Sequence, residues 1–133
     1  MKRGFLWLQF LAATLVVVGV FLQAFSITAY VRGAGDSALD MHSAVGGATQ
    51  LLEFVVLLAA LVAWWKQWPE VALALSLPVV GIVQLSLVGD SAESGGWVNG
   101  LHGLFALVVL VLAAVIVHRA MKALGLGKST ATT

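Results

Sequence analysis

Four long apolar stretches constrain this chain more than any other feature. They run from about Phe5 to Tyr30, Met41 to Trp65, Val71 to Val88 and Val98 to Val117. Each is long enough to cross a ~30 Å hydrocarbon core as a helix of about 20 residues. None alternates polar with apolar residues, and all are longer than a barrel strand, so helices are expected rather than strands. Composition points the same way. The chain is 61% hydrophobic and 10% charged, whereas a soluble domain carries about 25% charge. A core built from 133 residues cannot hide that much apolar surface from water. A soluble domain and a disordered chain are therefore excluded. A net charge of +1 offers no electrostatic footprint for nucleic acid. With no cysteine, disulfides, iron–sulfur clusters and covalent C-x-x-C-H haem attachment are excluded as well.

The basic residues orient the spans. Lys2, Arg3, Lys66, Arg119, Lys122 and Lys128 fall at the two termini or in the link after span two, and only Arg32 falls on the other side. This split predicts both termini in the cytoplasm. Asp36, Asp40, Asp90 and Glu93 then face outward. Trp64, Trp65 and Trp68 would anchor the inner interface, and Tyr30 and Trp97 the outer one. The first span has a basic start, but its apolar stretch exceeds the about 7–15 residues of a signal core, so it is expected to stay as a helix. About ten residues would join each outer pair of spans, and Lys66–Glu70 the inner pair. Short links favour antiparallel neighbours. The expected architecture is thus an all-α, up-down-up-down four-helix transmembrane bundle over residues 1–124. Residues 125–133 would form a disordered cytoplasmic tail.

The two halves resemble each other. Span one carries Gly19 and Gln23, with His42 following Gln23 by 19 residues; span three carries Gly81 and Gln84, with His102 following by 18. Each half reads apolar helix, Gln, acidic link, His, apolar helix. Both halves enter the membrane in the same sense, which implies a parallel repeat about an axis along the membrane normal. The repeat pairs Gln23 with Gln84 and His42 with His102.

Polar and ionisable residues inside a membrane suggest a site. His42 and His102 are placed in the first turns of spans two and four, at similar depth. In a sequential bundle those spans are diagonal, roughly 11–14 Å apart when neighbours are about 8–10 Å apart. Two imidazoles reaching inward could hold a flat metalloporphyrin, one on each face, as in b-type haem proteins. His42, Gly46, Thr49 and Glu53 share one helix face, and His102 shares a face with Ala106, Val109 and Ala113. Such small residues leave room for a ring. Gln23 and Gln84, about 10 Å below the outer boundary, could bond an imidazole or a propionate, and Arg32 is the outer cation available to propionates. Asp40, Ser43 and Asn99 are local acceptors for the second ring N–H of each histidine. Zinc is disfavoured, since two histidines do not complete a site and only Asp40, Asp90 or Glu93 could add to them. His118, at the inner end of span four, has no histidine partner and reads as an interfacial cation. One haem near the outer face cannot carry electrons across the whole core.

Glu53 lies 11 residues beyond His42 on the same face, about 16 Å deeper. A charge there costs several kcal/mol, so the acid is expected to be neutral and hydrogen-bonded. Ser76 and the Ala74 carbonyl freed by Pro78 are its expected partners. The functional alternative is a proton relay or part of a quinone pocket.

His42 in LDMHSAVGG, His102 in WVNGLHGLFAL, and the glutamines in VFLQAF and GIVQLS resemble an uncharacterised bacterial family of small four-helix membrane proteins, over about residues 5 to 118. More distantly, the layout is similar to one four-helix half of haem A synthase and to membrane cytochrome b bundles. That resemblance implies haem between facing histidines and transfers only His42 and His102. It places no catalytic carboxylate, so the resemblance gives no ground for enzymatic activity. The leading expectation is one b-type haem serving an electron-transfer or haem-handling role with a membrane redox partner or quinone. The alternatives are a cofactor-free scaffold subunit and a small proton-coupled transporter using Glu53.

Overall fold

A computed structural model describes residues 2–88 and 95–126 of the chain. Helix α1 spans Lys2–Ala29 and passes into a π-helical segment, Tyr30–Ala34; α2 spans Asp36–Ala63, α3 Trp68–Ser86 and α4 Gly95–Leu124. All four are long and apolar enough to cross a membrane. The protein is an all-α, multi-pass bundle, and the described residues contain no strand. Each helix packs on its neighbours in sequence, and α1 against α4 closes the ring, so α1–α3 and α2–α4 are the diagonals.

The packing is small-inside, large-outside. Ala13, Val16, Val56, Ala60, Ala74 and Ala113 are fully buried, whereas Leu15, Phe21, Phe25, Leu51, Leu58 and Val111 are exposed. This is the pattern expected when the surroundings are lipid. Burying a leucine gains little where the solvent is itself hydrocarbon, and small side chains let helices approach for dispersion contact. Gly19 shows how close the approach is: a Cβ there would collide with the Thr49 hydroxyl on α2. That hydroxyl is held by the Val45 carbonyl of its own helix at 2.8 Å.

Several boundaries differ from the sequence reading. Helix α2 begins at Asp36, not near Met41, and the link before it is confined to Tyr30–Gly35. Gly33 (φ 94°, ψ 19°) and Gly35 (φ 84°, ψ −178°) supply the reversal. The helix then starts at once, with Asp36 in its first turn, where an acid suits the positive end of the dipole. A hydropathy reading stops at the membrane boundary; hydrogen bonding does not. For the same reason α4 begins at Gly95 and continues to Leu124. At the opposite end, Trp64–Gln67 turns α2 into α3, with Lys66 at φ 70° and Pro69 in the first turn of α3. Helix α3 ends at Ser86 rather than Val88. Gly125 and Leu126 form a turn. The expected tail residues 127–133, together with Asp90 and Glu93, lie outside the described residues.

We refer to the end carrying the Tyr30–Gly35 link as the link end, and to the end with the α2–α3 turn as the terminal end.

Candidate functional site

The earlier helix starts place both histidines about one turn further into their helices than the sequence suggested. Diagonal placement of α2 and α4 brings them together: the His42 and His102 ring centroids are 6.3 Å apart, with ring planes at 63°. Each ring is fixed from the other helix of its own half. His42 Nδ1 donates to the Gln23 carbonyl at 3.0 Å, and His102 Nδ1 to the Gln84 carbonyl at 2.9 Å. A carbonyl only accepts, so each Nδ1 carries the hydrogen, and in the neutral ring each Nε2 keeps its lone pair. The acceptors are thus main-chain carbonyls, not Asp40, Ser43 or Asn99. The Gln84 carbonyl belongs to the last turn of α3, where it also accepts the Leu87 N–H at 3.2 Å.

Gln84 is 9% exposed. The Gln23 amide oxygen lies 3.2 Å from where a Cβ of Gly46 would stand, so Gly46 is the seat of that side chain. Arg32 lies exposed in the π-helical segment at the same end of the bundle. Gly47, Gly100 and Gly103 lie on the exposed outer surface of the same end, where an added Cβ would meet nothing within 4 Å. No third His, Cys, Asp or Glu joins the two histidines among the described residues. His118 is exposed near the terminal end.

The repeat seen in the sequence is drawn in contacts. At the terminal end, Trp64 Nε1, immediately after α2, donates to Gln9 Oε1 of α1 at 2.7 Å, and Arg119 of α4 pairs with Glu70 of α3 at 2.6 Å. Gln9 precedes Gln23 by as many residues as Glu70 precedes Gln84. Each half therefore carries two polar clasps between its own helices, one at each end. Gln9, 2% exposed, was missed in the sequence, although a lone Gln in an apolar run is the signal that picked out Gln23 and Gln84.

Glu53 is 2% exposed. Neither of its expected partners is the group beside it. The Ser76 hydroxyl turns to the Leu73 carbonyl at 2.7 Å, while the Glu53 carboxyl sits over Gly81 of α3 next to the Gln50 amide. Gln50 was not picked out in the sequence.

Fold and site together define a small multi-pass α-helical membrane protein with a pair of carbonyl-tethered histidines at one end. No protein-family model, curated protein or solved structure matches the chain.

Proposed function

We propose that the chain binds one b-type haem between His42 and His102 and serves as an electron-transfer or haem-handling partner in the membrane. One observation carries this reading: two imidazoles on diagonal helices, each tethered through Nδ1, with centroids 6.3 Å apart. An imidazole nitrogen sits about 2 Å from a transition metal. His42 and His102 would hold the iron, and a centroid separation of 6.3 Å leaves space for one ion within reach of both rings. The tethers leave Nε2 as the ligating nitrogen and raise its basicity, as partners of metal-bound histidines do. Bound haem would supply one-electron transfer. The chain's part is to hold both rings in one tautomer, to keep lipid around the site, and to offer Gln23, Gln84 and Arg32 to the edge of the macrocycle.

With the basic residues facing the cytoplasm, the pair lies near the outer face of a bacterial inner membrane. Electrons would then be exchanged with a membrane redox partner or quinone on that side. The spectrum of purified protein, with and without dithionite, tests the proposal. A sharp low-spin reduced spectrum is expected, lost in both His42→Ala and His102→Ala and kept in His118→Ala. Protein made with ample haem supply and showing no Soret band would end this reading.

A second reading rests on the same tethers. The Nδ1–carbonyl bonds join α1 to α2 and α3 to α4, which suffices for a cofactor-free scaffold subunit. The histidine variants separate the two readings, since a scaffold would lose stability and no spectrum.

A further inference from the structure

The two-fold repeat contains an internal comparison at mid-membrane. Glu53 follows His42 by eleven residues, and the residue at the same distance from His102 is Ala113. Gln50 likewise corresponds to Leu110. Ala113 is fully buried in apolar packing, and Leu110 packs against the same core. On the α4 side the core therefore closes at this level with apolar residues alone, and packing does not itself require the Glu53–Gln50 pair on the α2 side.

That pair is also incompletely satisfied. Among the described residues, Glu53 Oε2 and Gln50 Nε2 are buried beside each other without a hydrogen-bond partner. Gly81 makes the space they occupy: a Cβ there would overlap the Glu53 carboxyl and come within 2.6 Å of Gln50 Oε1. The notch opens on a cavity of about 20 Å³, lined also by Gln23, Thr49, Gln84 and His102. One water needs about 10–15 Å³ and two or more polar partners, and this cavity offers both.

We propose that Glu53, Gln50 and the Gly81 notch form a binding site for one water molecule, through which the Glu53 carboxyl gains and loses a proton. Gln50 Nε2 donates to the water oxygen, and the water faces Glu53 Oε2. In uptake, an O–H bond of a hydronium breaks as the Oε2–H bond forms, leaving neutral water in the site; release runs in reverse. The cavity's polar lining lies toward the link end of Glu53. Toward the terminal end follow Val56, Ala60, Ala74 and Leu77, all buried and apolar. Loading and unloading therefore use the same mouth, and the site conducts nothing across the bundle. Among the described residues His102 is the other titratable group lining the cavity; α1 contributes Val20 and Gln23, and α3 contributes Gly81, Gln84 and Leu85. The site stands whether or not the histidines hold haem.

Infrared spectroscopy of the full chain in lipid nanodiscs tests this. Wild type should show a protonated-carboxyl C=O band that shifts in D2O within minutes and is lost at alkaline pH. Glu53→Gln should lack it. Gly81→Ala should slow its deuterium exchange at least ~10-fold by filling the notch, with helicity retained. If the wild-type band is absent at every pH, or present but closed to deuterium over a day, or unchanged in Glu53→Gln, the proposal fails. Should Gly81→Ala not fold, the wild-type and Glu53→Gln spectra still decide it.

Discussion

At the scale of single residues, the bundle is built from close approaches that tolerate no added carbon. Gly19 and Thr49 are the plainest case, because a Cβ on Gly19 would occupy the place of the Thr49 hydroxyl. Gly19→Ala should therefore cost about 1–3 kcal/mol, as overpacking does. Thr49→Ala removes the obstructing oxygen, so the Gly19→Ala, Thr49→Ala double variant should recover part of that loss. Reversible unfolding in mixed micelles would measure the coupling; strictly additive losses would show that the two residues do not meet. The polar residues divide between what a sequence can and cannot announce. Gln23, Gln84, His42 and His102 stand out because each interrupts an apolar run. What the histidines bond to does not stand out: the acceptors are main-chain carbonyls, which every residue possesses. The Glu53–Gln50–Gly81 contact was illegible for a different reason. Hydropathy reports how deep a residue lies in the membrane but not which way around the helix its neighbour has been turned. So Ser76, at matching depth, was the natural candidate, while Gly81 on the facing side was the actual neighbour.

At the scale of elements, the link between α1 and α2 is the most demanding piece of backbone. Gly33 lies in a left-handed region that asparagine also visits, whereas Gly35, at φ 84° and ψ −178°, lies where essentially only glycine is at ease. Gly35→Asn should therefore cost about 1–3 kcal/mol, and Gly33→Asn distinctly less. Thermal denaturation of the two variants side by side gives the order, and the reverse order would contradict the backbone described. This link is also where the sequence misled. Asp36, Ser37 and Asp40 are polar and make the segment read as loop, yet residues 36–40 are the first turns of α2. At the terminal end, Gln9 and Trp64 form a clasp within the apolar zone, while Glu70 and Arg119 form theirs at an exposed edge. Interhelical hydrogen bonds in membranes average about 0.6 kcal/mol, and exposed ion pairs contribute about 0–1 kcal/mol. Gln9→Leu should thus lower stability by about 1 kcal/mol at any ionic strength. Glu70→Gln should have a smaller effect that vanishes in high salt. A salt-sensitive Gln9→Leu effect would place that clasp in water instead.

At the scale of the whole molecule, the four spans and their cyclic order were readable because length and hydropathy dictate them. The direction of insertion rests on the distribution of Lys and Arg alone. Single cysteines at Ser37 and Ser129, probed with an impermeant thiol reagent on intact cells, should label at position 37 and stay silent at 129. The opposite pattern would invert the molecule and carry the histidine pair to the cytoplasmic face. The repeat has a bearing here as well. Because both halves run the same way through the membrane, their four clasps hold α1 to α2 and α3 to α4. The seams between the halves are left to small side chains and the Glu53 notch.

The helices are also of unequal length. Helix α3 has 19 residues against 28 for α1 and α2 and 30 for α4. At 1.5 Å per residue, α3 reaches about 28 Å, slightly less than an average hydrocarbon core. One flank of the bundle is therefore short, and lipids beside it must compress while those beside α4 need not. Longer acyl chains would sharpen that imbalance at a cost of fractions of a kcal/mol per ångström. Bilayer thickness then acts on the tilt of the bundle through its short flank, drawing α3 toward the membrane normal as the bilayer thickens.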